Sequence, residues 1–515
     1  MSDAAVKEES HPISRTSARK NLTFNVFASG VTAIMSIAMA PLYLHLLGKE
    51  AFGLVALFNG LIAIAALFES GITAAISRQL ARIDQCDRKE TREAMSTFEM
   101  VFTIIGVVLG CCICLGGPSF ARTWLNPGSL DQATISWSMI WLGIGFIGRW
   151  NISYYTAGLN GLERQIGLSL LAVGMAVIQY IGVVVILWMI GATPPVFFAY
   201  LAACGLVHML VLRWMVWRLV GWNSGCRRWH PAALRSLRSF ASGMTFISLT
   251  AIILTQADKI ILSRLMPLAG FGVYSFAANT AAGTSRVIGP IFNAVYPRLT
   301  RLVGSGMKVE ASEFYQLSAQ VVACIMIPPV VVLVVFVAPI LRLWTRNPEL
   351  TVEVAPLLCW FLLGNLLNAL VNVPFALQLS HGWTKLVIWS NILSIFVLIP
   401  SAIVAYQLWG PIGVVMVWFV LNLGYVVGVV PIMHHCLAWP GLRAWYLYAV
   451  VMPVLCTVAI SITLSAWCHA ASDVIQVLVA GGAIILSMGL VVGLAPAVRR
   501  MIGPYVSMMR QRPSP

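Results

Sequence analysis

Charge is what this sequence has least of: Asp, Glu, Lys and Arg make up 10% of its 515 residues, against roughly 25% in an ordinary soluble domain. That excludes a water-soluble fold. Segments of about ten residues with alternating polarity, the mark of a membrane β-barrel, are also missing. Stretches such as 321–340 are continuously apolar, so backbone groups in lipid must be satisfied within helices. No Gly-x-x-x-x-Gly-Lys-Ser/Thr loop occurs, which removes ATP hydrolysis by this chain as a driving force. Nor does any long outer loop, metal-binding acidic cluster or nucleophile motif offer a home for an enzyme's active site. The eleven cysteines lie mostly inside apolar runs. Cys111, Cys112 and Cys114 lack the His or second Cys pair of a structural zinc site and read as small packing residues. The sequence asks for no cofactor and no metal.

What is present is apolar sequence: 59% of residues are hydrophobic and the mean hydropathy is +0.86. About fourteen runs of eighteen or more residues follow one another from 24–46 to 473–496, each long enough to cross a hydrocarbon layer of about 30 Å. The fold expected is an all-α integral membrane protein of about 14 transmembrane helices. Ala38-Met39-Ala40 superficially resembles a signal-peptidase site, but Pro41 would follow the cut and the preceding apolar run is too long for a signal peptide. The first helix is expected to remain.

The formal charge of +15 would suggest nucleic acid in a soluble protein, but here it lies in the loops. An N-terminus in the cytoplasm puts 25 of the 33 Lys and Arg on the cytoplasmic side and 6 on the other, with Arg149 and Arg286 inside helices. This is the positive-inside bias with both termini cytoplasmic. Nucleic acid is not a partner; the bilayer is.

An internal repeat is visible. Leu46, Phe52, Gly53, Leu54 and Arg82 match Leu265, Phe271, Gly272, Val273 and Arg301 at an offset of 219 residues. An offset spanning six helices preserves orientation, as in transporters built from parallel repeats. The expected organisation is therefore a cytoplasmic N-terminal tail (1–22), an N-lobe of helices 1–6 (23–219), a basic cytoplasmic linker (220–240) holding Arg227 and Arg228, a C-lobe of helices 7–12 (241–436), additional helices 13 and 14 (437–497), and a cytoplasmic C-terminal tail (498–515).

The motifs LLGKEAFGL from Leu46 and FESGITAAISR ending at Arg78, with QADKIILSRL from Gln256, FGVYSFA from Phe271 and VYPRLTRL from Val295, resemble the polysaccharide transporters. These are the Wzx-like flippases within the multidrug, oligosaccharidyl-lipid and polysaccharide exporter superfamily. The resemblance covers the openings of both lobes and the helix count. It implies two parallel six-helix lobes forming a V about a central cavity, plus two extra C-terminal helices. The implied substrate is an undecaprenyl-pyrophosphate-linked oligosaccharide repeat, moved across the bacterial inner membrane by alternating access for O-antigen, capsule or exopolysaccharide synthesis. A polysaccharide polymerase and glycosyltransferases would be partners, and coupling to protons or sodium is left open.

Ionisable residues inside the membrane are costly, so each is a functional candidate: Glu69, Glu99, Arg149, Asp258, Lys259 and Arg286. Arg286 is the first choice for pyrophosphate, because a guanidinium holds phosphate oxygens bidentately; pairing with a carboxylate or backbone carbonyls is the structural reading. Arg149, followed by Asn151 and Tyr154, is a second cavity candidate, or else snorkels to the headgroups. Glu69 maps through the repeat to position 288, beside Arg286, and is expected to bind substrate, gate or couple, or to pair structurally. Asp258 and Lys259 are coupling or gating candidates, or a solvated pair. Glu99 reads as an interfacial charge. The competing functions are an ion-coupled drug or metabolite antiporter of the same superfamily and, behind it, a polytopic glycan-processing enzyme or a membrane scaffold. Two intramembrane arginines count against a cation exporter.

Overall fold

The computed structural model describes residues 15–82, 88–162, 164–221 and 253–501. The two tails and the basic linker with Arg227 and Arg228 lie largely or wholly outside them. Among the described residues every regular element is helical. The first five helices are α1 (Arg15–Arg82), α2 (Arg88–Trp124), α3 (Gln132–Gly161), α4 (Gln165–Ile190) and α5 (Pro194–Val220). A helix over 253–265, here α6, precedes α7 (Leu268–Ala281), α8 (Gly283–Gly304), α9 (Lys308–Val335), α10 (Val337–Thr345) and α11 (Pro348–Ser380). Helix α12 (Lys385–Gly424) runs through a π-helical turn, Tyr425–Val429, into α13 (Val430–Cys436). Then α14 (Leu442–Tyr446), a second π turn at Leu447–Val451, α15 (Met452–Cys468) and α16 (Asp473–Leu494) complete the chain.

Two of these helices are each two membrane passes. Gly48 in α1 (φ 82°) and Gly410 in α12 (φ 63°) take left-handed backbone angles, which cost glycine nothing and strain other residues. With both bends counted, and α6, α7–α8, α9–α10 and α14–α15 each taken as one pass, the helices make the fourteen crossings that the apolar runs predict. Nine helices among the described residues are long and apolar enough to cross a membrane on composition alone. Helices α3 and α8 are not among them; they carry Arg149 and Arg286.

The described chain groups into two compact units. The first takes in residues up to Met39, Ala65–Ser119, and Ala133 onward through α5. Its core is an aromatic ladder in which Phe102 stacks against Trp150 and Tyr154 at centroid distances of 5.9 and 5.4 Å. Glycines set how closely α3 packs. A Cβ on Gly143 would stand 2.7 Å from the Gly110 carbonyl oxygen of α2, and one on Gly148 would stand 2.8 Å from the Gly205 backbone of α5, the small-residue packing by which helices associate in lipid. Cys114 belongs to this seam, its thiol 3.3 Å from the Ile140 carbonyl, in keeping with a packing role.

The second unit comprises Ala40–Ile64, Phe120–Gln132 and the chain from α6 onward. Helix α11 runs through its middle, against α7, α8, α9 and α12. The last two passes dock on α9: Val332 and Phe336 pack with Cys468, Ala480 and Ala483, and Cys324 packs with Val491 and Ala495. Arg342 adds a bidentate pair to Asp473, with Nε 2.9 Å from Oδ2 and Nη2 2.6 Å from Oδ1.

The sequence repeat has a physical counterpart in this unit. A Cβ on Gly53 would sit 2.5 Å from the Leu268 carbonyl oxygen, and one on Gly272 would overlap the Lys49 carbonyl oxygen. Lys49 and Leu268 are separated by the same 219 positions as Gly53 and Gly272, so one close approach is made twice, reciprocally. Around it, Glu50 accepts hydrogen bonds from the backbone N–H groups of Gly128, Ser129 and Leu130 at 2.9–3.0 Å. The Asn126 amide donates to the Arg264 carbonyl at 3.0 Å, and Lys49 pairs with Glu353 at 2.7 Å.

Candidate functional site

Ionisable side chains at membrane depth collect in three places. In the first unit, Glu69 is 6% exposed and lies beside Ser153 of α3, whose hydroxyl donates to the Trp150 carbonyl at 2.7 Å. Arg149, one turn away from Ser153, is the neighbouring positive charge, and it is also the charge nearby that acts on His208 of α5. Three helices thus contribute to one Glu69, Arg149, His208 cluster. The sequence offered Arg286 as the charge corresponding to Glu69; within its own unit the charge beside Glu69 is Arg149.

The second place is Glu99. Its carboxylate accepts from Arg213 Nε at 2.6 Å and Tyr155 Oη at 3.0 Å on one oxygen, and from Trp217 Nε1 at 2.7 Å on the other. A carboxylate satisfied by three donors from α3 and α5 is a tie between helices, with little left for a ligand. Glu99 reads as an interfacial charge in the sequence because it falls within a turn of the expected cytoplasmic helix end; its partners lie 56 to 118 positions away.

The third is in the second unit. Asp258 Oδ2 accepts from the buried Tyr274 hydroxyl at 2.7 Å, while Lys259 Nζ stands 3.9 Å from Asp258 Oδ1 and donates to the Thr255 carbonyl at 3.2 Å. These groups line a cavity of about 230 Å³ together with Asn365 and Trp418, whose indole N–H donates to Asn365 Oδ1 at 3.0 Å. Nothing in the sequence singles out Tyr274 as the partner of Asp258.

Arg286 stands near the start of α8, a helix with two unlike faces. Ile288, Val295, Leu299 and Leu302 form its buried stripe. On the opposite side, at helical spacing, Arg286, Gly289, Pro290, Asn293, Pro297 and Thr300 are exposed. A stripe of that composition is costly against hydrocarbon and is at ease facing water. The presence of two prolines without donors and a helix too polar to qualify as a lipid-facing span points the same way. His434, by contrast, is a packed residue, with Nε2 3.2 Å from the Tyr315 hydroxyl and Nδ1 2.9 Å from the Val430 carbonyl.

The family described as "Polysaccharide biosynthesis protein" matches residues 18–303, more than half of the chain and the whole stretch that holds these three clusters and Arg286. The chain belongs to the polysaccharide biosynthesis protein family. The MatE family matches residues 244–404 as well, and both lie within the multidrug, oligosaccharidyl-lipid and polysaccharide exporter superfamily, whose members are transporters rather than enzymes. A Shigella flexneri protein named "Putative O-antigen transporter" is 21% identical over 369 residues, 71% of this chain and 86% of that one. Among solved structures, the lipid II flippase MurJ in its inward closed conformation superposes with a TM-score of 0.64 at 12% identity, over 92% of this chain and 99% of that one. The multidrug transporter DinF-BH reaches 0.58 at 15% identity, over 85% and 98%. At these identities the two structures establish the fold that family membership implies.

Proposed function

We propose that this polysaccharide-family transporter is a flippase for a polyprenyl-pyrophosphate-linked oligosaccharide, moving it from the cytoplasmic to the periplasmic leaflet of a bacterial inner membrane by alternating access. The observation that carries the reading is the polar stripe of α8 headed by Arg286. An anionic lipid-linked glycan needs a wet path with fixed positive charge, and a guanidinium there can take phosphate oxygens in pairs. Arg149, exposed on α3 with Glu69 as the neighbouring negative charge, supplies a second positive group. The lobes are residues 23–219 and 241–436, joined by the 220–240 linker and followed by helices 13 and 14. The reciprocal Gly53 and Gly272 contact is the part that must separate when the path opens on that side. Similarity to the Shigella protein supports the choice of cargo class, and the 25 to 6 partition of basic residues supports both termini being cytoplasmic. The polymerase and glycosyltransferases of the same biosynthesis are the expected partners.

A second reading, an ion-coupled antiporter, has its own observation: Asp258 beside Tyr274 on the wall of a small cavity within the region matched by the MatE family. In the flippase reading the same carboxylate couples or gates. Deleting the gene separates the two. A flippase deletion accumulates completed lipid-linked repeats on the inner leaflet and loses surface polysaccharide; unchanged polysaccharide with altered drug or metabolite tolerance would establish the antiporter.

A further inference from the structure

Uncharged polar side chains gather at a place none of the ionisable clusters touches. Asn368, Asn372, Phe375 and Gln378 of α11 face Asn391 of α12 and Tyr425 of the π turn across a cavity of about 240 Å³. The spacing explains the convergence: 368, 372 and 375 follow at intervals of four and three on one helix face. The π turn adds a residue to the helix, an irregularity that recurs at functional sites, and it puts both Tyr425 and Val429 on the cavity wall.

The hydrogen bonds are unevenly used. The Asn372 amide N–H donates to the Asn368 carbonyl at 2.8 Å, the Asn368 amide N–H to the Asn422 side chain at 2.9 Å, and the Gln378 amide N–H to the Trp383 carbonyl at 3.1 Å. Among the described residues no donor reaches the side-chain oxygens of Asn368, Asn372 or Gln378, and Asn391 makes no side-chain hydrogen bond at all. These oxygens are not sealed in protein either. Amide oxygens without a protein donor are satisfied by whatever fills the cavity, so a ligand bound here donates several hydrogen bonds and accepts at least one. No Asp, Glu, Lys or Arg lines it, which removes the reason for an ionic ligand. One wall is aromatic: Phe375 stacks on Phe292 with ring centroids 5.8 Å apart. The volume lies below the roughly 300–1,000 Å³ of pockets that enclose a drug-sized ligand.

Hydroxyl donors and acceptors around a compact ring with an apolar C–H face are the description of a pyranose. We propose that the cavity framed by Asn372, Phe375, Asn391 and Tyr425 is a subsite for one neutral sugar ring of the transported glycan, separate from the arginines that meet its pyrophosphate. The assignment rests on the flippase reading for its biological meaning but not for its measurement. The site would then contribute selectivity for the glycan, because an amide site rejects a sugar whose matching hydroxyl is absent or inverted by leaving its own groups unpaired.

The test is saturation-transfer difference NMR on the full-length protein in lipid nanodiscs, with free galactose, N-acetylglucosamine and rhamnose as probes and empty nanodiscs as the blank. Transfer to the ring protons of at least one sugar is expected, reduced five-fold or more in Asn391→Leu and in Asn372→Leu, and unchanged in Arg286→Ala. Asn391 makes no side-chain hydrogen bond to the described protein, so its Leu variant retains the fold; a matching thermal unfolding midpoint verifies that. Absence of transfer from every probe, equal transfer in both Leu variants, or loss of the signal on adding sodium would each overturn the assignment, the last marking a cation site and the first a water-filled void. Sugar binding in a protein whose deletion leaves lipid-linked repeats correctly distributed would sink the flippase reading and leave the subsite standing.

Discussion

Replacing Gly272 by alanine perturbs the contact that the internal repeat makes twice. The new Cβ would overlap the Lys49 carbonyl oxygen and lie 3.1 Å from the Gly53 nitrogen and 3.2 Å from the Lys49 carbonyl carbon. All three are backbone atoms, so no side chain can swing away; α7 and the Lys49 turn must part by several tenths of an ångström. Overpacking of this kind costs about 1–3 kcal/mol. The gain in helix propensity from Gly to Ala, roughly 0.5–1 kcal/mol, acts in both transport states and does not bias between them. At about 1.4 kcal/mol per factor of ten, a 2 kcal/mol penalty on the packed arrangement lowers its population relative to the open one by roughly 30-fold. The assay is thiol crosslinking of Lys49→Cys with Glu353→Cys, whose native side chains pair at 2.7 Å, in a background without other cysteines. Crosslinking is expected to be efficient in the parent and to collapse in Gly272→Ala, with Gly53→Ala giving the same result by the reciprocal contact. An undiminished yield in both glycine variants would refute the idea that this seam limits opening.

Arg286→Ala is expected to abolish surface polysaccharide at normal membrane levels, and Arg286→Lys to restore it in part, because a point charge survives while bidentate geometry does not; export is read by polysaccharide immunoblot. Glu69→Gln and Arg149→Gln are expected to be non-additive, with a coupling of about 0.5–3 kcal/mol read from transport rates of the single and double variants. Glu99→Leu removes the acceptor of three donors and is expected to destabilise the protein by about 2 kcal/mol, visible as a lower unfolding midpoint in detergent while transport per folded molecule is kept.

The membrane class, the number of crossings and the intramembrane charges were legible in sequence because each is a matter of composition over a window. The bends that divide α1 and α12 were legible as interruptions of the apolar runs at 47–51 and 407–408, although Gly48 and Gly410 were not named as the residues that make them. Partners were the harder problem. Tyr274 for Asp258, Arg149 for Glu69 and the three donors on Glu99 come from other helices, and periodicity does not say which helix stands beside which. The repeat located Gly53 and Gly272 as equivalent without revealing that the two segments touch. The amide cavity passed unnoticed for a different reason: a search for charge at membrane depth overlooks Asn368, Asn372 and Asn391, which are neutral and spread over two helices. Trp445, of a residue type that favours the headgroup interface, is fully buried.

The central claim is that this protein alone carries a lipid-linked glycan between leaflets. Purified protein reconstituted into vesicles, with a polyprenyl-pyrophosphate-linked repeat loaded in both leaflets, allows that to be measured as the fraction of glycan open to an enzyme added outside. Without transport about half of the glycan is protected. With the protein present nearly all of it is expected to become accessible over time, at a rate that falls strongly in Arg286→Ala; protection that persists at one half with correctly folded protein in every vesicle would rule out flipping by this protein alone.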